Sequence, residues 1–162
     1  MGATTLYNFK TKVLDHTPTI NTAEYAQHDI LFDFEAVTLG EGGSATRPIS
    51  GTINNFILTD KDNEGVQITV FFTDSSSASL GSINAGITIT DAHAAAINGY
   101  VDTGATYEDM TGCKIIRPSA FAPIPFVSTD DKIYVGGVMR GSSATTWTSA
   151  SDITMRIGVT IE

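Results

Sequence analysis

The stretch "GVQITVFFT", Gly65–Thr73, alternates apolar and polar side chains almost without interruption. Val66, Ile68, Val70 and Phe72 fall on one side of an extended chain, and Gln67, Thr69, Phe71 and Thr73 on the other. That period of two residues belongs to a strand with one buried face, here with one aromatic, Phe71, on its outer face. The strand runs directly into "DSSSASLG", Asp74–Gly81. A hydrolase nucleophile on a strand-to-helix elbow needs glycines two residues either side of the serine, and Ser75–Ser77 are flanked by Asp74 and Ala78. A phosphate loop needs a glycine followed by lysine, and Gly81 and Gly86 are followed by Ser82 and Ile87. Asp74 and the serines instead suit side-chain bonds to their own backbone that end a ladder and begin a turn.

The same alternation recurs on both sides of this stretch. "HDILFDFEAV" sets Ile30, Phe32, Phe34 and Ala36 against Asp29, Asp33 and Glu35, so its acidic face is expected to meet water. "DITMRIGVTI" aligns Ile153, Met155, Ile157, Val159 and Ile161 on one core face. Weaker segments, "TLYNFKTKV", "GTINNFILT", "GITIT", "CKIIR" and "KIYVGGVM", bring the expected strands to eight. One helix is signalled in "TDAHAAAINGYV", with Thr90 or Asp91 as cap, Asn98-Gly99 as stop and Ile97 as the anchor that plugs one end of the fold. Eight short strands and one short α-helix predict an all-β, antiparallel β-sandwich of jelly-roll type. At 162 residues the chain is expected to be a single domain, 1–162, with about residues 1–20 serving as an arm in assembly.

Charge narrows the partners. Nine basic against eighteen acidic residues give a formal net charge of −9, and the basic residues never cluster, which disfavours a nucleic-acid backbone. No apolar run reaches the length of a membrane span, and the start "MGATTLYNFKTKV" lacks the basic-then-apolar order of a secretory signal. The chain is therefore expected to be made and to stay in the cytoplasm unless carried out within an assembly. The lone Cys113, beside Ile115 and Ile116, reads as a small buried hydrophobe.

The candidate chemistry is thin. "DKDNEG" opens like a calcium loop with Asp60, Asp62, Glu64 and Gly65, but the twelfth position is Phe71 and strands flank it. It reads as the polar turn of a hairpin, with a weak surface calcium site as the alternative. His16, His28 and His93 stand apart, outside any metal-binding spacing. Adjacent carboxylates at Asp130-Asp131 and Glu108-Asp109 point opposite ways on extended chain and suit solvated turns. Asp102-Thr103-Gly104 matches an aspartic-protease tripeptide with no second copy. No catalytic residue, metal ligand or cofactor is assigned, and no enzyme activity is expected.

"VFFTDSSS", the capped helix "TDAHAAAINGYV" and the late pair "KIYVGGVMRGSSATTWTSASDITMRIGVTIE" together resemble small virion proteins of tailed bacteriophages, over roughly Val66–Glu162. The resemblance implies a jelly-roll decoration or cement protein that binds the major capsid protein on the outside of the head. It also implies homotrimers at local three-fold positions that reinforce the shell against internal DNA pressure. Partner-binding surface is expected at Tyr7 and Phe9, at Phe121, Ile124 and Phe126 in the proline-fixed connector "RPSAFAPIPFVSTDD", and at Arg140 and Trp147. The connector's apolar residues either cover an open sheet edge or meet a partner. Trp147 either folds over the open end of the sandwich or anchors an interface. The alternative function is a carbohydrate-binding, lectin-like sandwich of a phage fibre or secreted protein, with a host glycan as partner. Trp147, Tyr100, Tyr107 and Tyr134 are then the candidate stacking rings.

Overall fold

A computed structural model describes residues 9–104, 106–118 and 121–162. In chain order its elements are β1 (Lys10–His16), β2 (Ile30–Thr38), β3 (Ile49–Asp60), β4 (Ile68–Thr73), α1 (Asp91–Ala95), β5 (Ile97–Asp102), β6 (Glu108–Asp109), β7 (Lys114–Ile116), β8 (Ile124–Ser128), β9 (Lys132–Met139) and β10 (Ile153–Ile161). All described strand pairs are antiparallel. One sheet runs β1-β10-β3, and β3 is long enough to pair β8 through Ile49–Ile53 and β7 through Leu58–Asp60. The other runs β2-β9-β4-β5.

Leaving aside the small β6-β7 insertion, the pairs nest: β1 with β10, β2 with β9, β3 with β8, β4 with β5. Such nesting is that of a long hairpin rolled onto itself, which is the jelly roll. The sandwich is closed by side chains from both sheets. Ile153, Met155, Ile157, Val159 and Ile161 of β10 are all buried, as their spacing predicts, and they meet Val70 and Phe72 of β4 in one core cluster. Phe56 and Phe72 stand edge to face at 6.0 Å across the two sheets.

Over β2, β9 and β4 the second sheet is covered on its outer side as well, contrary to the half-buried reading of Gly65–Thr73, while Tyr100 and Asp102 of β5 stay exposed on that side. On its outer side Ile30, Leu80 and Val138 form a separate cluster, joined by Phe34, Phe71, Ile87 and Ile89. The cover is the chain from Ala78 to Ile89, pinned by Asp33, whose carboxylate accepts from Leu80 N and Ser79 Oγ, each at 2.7 Å. Asp33 therefore fastens a loop and does not mark a water-facing strand. "GITIT" is part of this cover and forms no strand, meeting the chain just before β2 by an isolated bridge between Asp29 and Gly86 and by Ile87 N donating to His28 O. Register shifts in β2 on either side of Phe32 break its expected alternation. Phe32, Val37 and Leu39 then face the main core, while Ile30 and Phe34 join the outer cluster and Ala36 is exposed.

Three further expectations are corrected. "DKDNEG" and the stretch from β9 to β10 do not close hairpins, because each links strands in different sheets. The helix is capped by Thr90, which accepts from His93 N, but it ends at Ala95, and Ile97 begins β5. Ile97-Asn98-Gly99 extends because β4 offers an unpaired ladder beside it, and pairing outweighs a marginal two-turn helix. Cys113 is part-exposed and free, beside the β6-β7 turn, where there is little core to enter.

Candidate binding surfaces

The residues expected to form one partner surface are not brought together. Tyr7 lies outside the described residues. Phe9 is 59% exposed at the start of β1. Ile124 and Phe126 are buried, because β8 is a strand of the first sheet and alternates them inward with Pro125 and Val127 outward. The connector thus covers the sheet edge along β8. Phe121 packs against the main core from outside. Arg140 is part-buried and donates from Nε to Thr69 Oγ1 at 3.0 Å, which ties the end of β9 to β4.

Trp147 is a core residue, with none of its surface exposed. Its ring meets Tyr25 edge-on at 5.6 Å, and Nε1 donates to Asp60 Oδ1 at 3.2 Å. The Asp60 carboxylate, itself 1% exposed, also accepts from Asp62 N at 3.1 Å and Gly65 N at 2.7 Å. The calcium-like stretch is therefore an Asx-type turn whose first carboxylate caps its own backbone and a buried indole. Asp62 is likewise engaged, by Thr148 N and Oγ1. Among the described residues no group of three or more His, Cys, Asp or Glu is placed to hold a metal ion.

The other sequence motifs are also built into turns. Ser75 N donates to Thr73 Oγ1 and Ala78 N to Ser75 O, so the serine run does turn the chain out of β4. Thr103 of the Asp-Thr-Gly tripeptide is buried and accepts from Ile68 N at 2.8 Å, while Asp102 Oδ1 accepts from Gly104 N. Asp131 is pushed up by burial, but the backbone N–H groups of Glu41, Gly42, Gly43 and Gly40 outweigh this and hold it below the usual carboxylate range. Asp130 accepts from the Tyr134 hydroxyl. Tyr107 is pushed up to about 12, chiefly by burial, and its hydroxyl donates to Val66 O.

Two surfaces remain open. The first is the outward face of β1, β10, β3 and β8. The registers place Thr11, Thr160, Thr52 and Pro125 in one row across all four strands. Val13 lies opposite Gly158, and Val127 opposite Ser50. Val13 and Val127 are 56% and 54% exposed. The charged side chains on this face are Asp15 and Arg156, which pair with each other at 3.1 Å. Strand alternation could have revealed this face had β8 been legible.

The second surface is a groove of about 630 Å³ along β5, walled on its far side by Pro118 and Phe121–Ile124. Of the four rings the sequence offers for stacking, Trp147 and Tyr134 are buried and Tyr107 is packed on the core. Tyr100 is different: it lines this groove and is 65% exposed.

No family model matches this sequence, and neither does any curated protein. Among solved structures the chain is similar to a picornavirus capsid chain from an expanded equine rhinitis A virus particle. The two share 15% identity over 93% of this chain and 66% of that one, with a TM-score of 0.30. The jelly roll of this chain rests on the nested pairing of its strands.

Proposed function

We propose that this chain is a structural protein of a virus particle, one that binds the major capsid protein on the outside of a tailed-phage head and reinforces the shell. The observation that carries this reading is the outward face of β1, β10, β3 and β8. On a molecule with eighteen acidic and nine basic residues, this four-strand face carries one mutually paired Asp and Arg. The remainder is threonine, asparagine and serine with Ile57, Pro125, Gly158 and the exposed Val13 and Val127. Depletion of unpaired charge is the compositional mark of an interface centre, since each unpaired charge taken out of water costs several kcal/mol. A flat, rigid sheet also loses little conformational freedom when it docks. The reading extends to a homotrimer around a local three-fold position, where the Phe9 end of β1 meets a neighbouring copy.

Electron cryomicroscopy of purified particles tests it. Density for this jelly roll on the outer shell, with the β1-β10-β3-β8 face against the capsid, is the expected result. A chain absent from particles overturns the reading, and so does one seated on them by its second sheet.

A further inference from the structure

We propose that the groove along β5 is a binding site for a neutral, pyranose-containing glycan, with Tyr100 as the stacking platform and Asp102 as the hydroxyl acceptor. The site lies along β5, at the edge of the other sheet, and meets the capsid-face sheet at Ile124, where β8 begins. A sugar ring presents an apolar C–H face with hydroxyls around its rim. It therefore needs an exposed aromatic face with a fixed polar group about one ring width away.

β5 supplies this pair by strand geometry. Residues two apart share a face and stand roughly 7 Å apart, so Tyr100 and Asp102 stand side by side on the outer face of β5, at the rim of the groove that both line. Both are held in place. The Tyr100 ring leans on Phe71 at 5.9 Å between centroids, tilted 47°, so it is braced despite its exposure. Asp102 Oδ1 accepts from Gln67 Nε2 at 2.8 Å and from Gly104 N at 2.9 Å. Its other oxygen, Oδ2, takes no donor among the described residues and is free to accept from a pair of ring hydroxyls. Preorganisation of this kind removes most of the ordering cost of binding. Asn98, by contrast, is committed to Asp74 and Pro125 and acts as a wall.

The lining also selects the class of sugar. Pro118, Phe121 and Pro123 give the far wall an apolar character, and the described lining contains no lysine, arginine or histidine. A sialic or uronic acid would bring its carboxylate beside Asp102 on a chain of net charge −9, and Arg140, the cation across β4, is committed through Nε to Thr69, the cross-strand partner of Asp102. A neutral hexose or N-acetylhexosamine meets no such penalty.

The test is a printed glycan array probed with the full chain, followed by NMR titration of the best neutral trisaccharide and of sialyllactose. Neutral glycans should bind and sialyllactose should not, with amide shifts centred on residues 98–104 and 121–124. Tyr100→Ala should weaken binding by at least about tenfold, the size expected when one stacking contact of about 1.4 kcal/mol is lost. Asp102→Asn should weaken it several-fold, whereas Tyr100→Phe should leave it within about threefold, since the ring remains. Tyr100 is exposed enough that these variants should keep the wild-type melting curve. The proposal is overturned by no binding of any neutral glycan at millimolar concentration, by preference for sialyllactose, or by shifts that map elsewhere. Failure here leaves the capsid reading untouched, because that reading is decided by density on particles.

Discussion

Trp147 shows how far a single residue can be misread from its neighbours. It sits in "GSSATTWTSASD", whose polar company suggests a surface loop, yet Asp60 lies 87 positions earlier and receives its N–H. A contact of that sequence separation leaves no local signature. The expected outcome of Trp147→Ala is a loss of about 3–5 kcal/mol in urea unfolding, the usual cost of emptying a buried aromatic site. Trp147→Phe should cost less, about 1–3 kcal/mol, mostly for the donor withdrawn from a buried carboxylate. An interface role with no core role predicts unchanged stability for both. A second residue-scale prediction concerns His16 and Glu35, which face each other from β1 and β2 with Nε2 3.5 Å from Oε2. Burial pushes His16 below its ordinary 6.5, and burial pushes Glu35 above its ordinary 4.5 against the lowering bond from Thr19 N. The unfolded chain therefore binds the His16 proton more readily. Stability should be full above about pH 6.5 and fall as the pH drops through that unfolded value. Glu35 has the opposite sign: its raised folded pKa favours the protonated folded state, so it returns stability as the pH falls through that raised value toward 4.5. Urea midpoints measured from pH 8 to 4 should show the fall, with His16→Gln abolishing it and Glu35→Gln abolishing the partial recovery.

At the scale of elements, strands whose faces alternate cleanly were legible and the surroundings of those strands were not. β10 could be read from its own residues because a single core face dictates every second side chain, and β4 keeps the same alternation in sequence although both of its faces are covered. The sequence of β5 looks like the end of a helix, since "HAAAING" carries a local helical preference that only pairing with β4 overrides. β8 was read as a connector because its prolines forbid a central strand; as the outermost strand along the first half of β3, it tolerates Pro125, which points outward and donates nothing. Which neighbour completes a sheet depends on partners distant in sequence, and local periodicity does not encode them. The same reason hid the cover over the second sheet, where Gly136 of β9 lets Leu80 and Phe34 approach the backbone, as Gly137 does for Phe32 on the core side. A Cβ at Gly137 would stand 2.3 Å from Phe32 Cε1, on a fully buried ring with nowhere to retreat. Gly137→Ala should therefore cost about 1–3 kcal/mol. Gly86→Ala, with nothing within 4 Å, should change the unfolding free energy by less than about 0.5 kcal/mol. Similar losses for both would mean that the core around Phe32 is not packed as described.

For the whole molecule, the nested pairing decides what the two sheets are free to do. The β2-β9-β4-β5 sheet has already spent its outer face on the Ala78–Ile89 cover, so a partner cannot lie flat against it. The β1-β10-β3-β8 sheet keeps its outer face bare, and the chain's charge is distributed away from it. An acidic molecule repels its copies and any acidic shell at long range, so docking must be driven by a face on which that repulsion is weakest. Neither side chain of the sites to be changed, Val13 and Val127, is needed for the core, as both are more than half exposed. The double change Val13→Asp with Val127→Asp should leave the melting temperature within a few degrees. It should also reduce occupancy on particles by at least about tenfold, because two unpaired carboxylates would be taken out of water at the contact. Lysine at the same two positions should fare better than aspartate on an acidic shell, and raised salt should narrow the gap between the two variants. Co-sedimentation with particles stripped of this chain measures all of it. Undiminished rebinding of the aspartate variant would remove this face from the contact, and a loss of rebinding for Tyr100→Ala in the same assay would move the contact to β5.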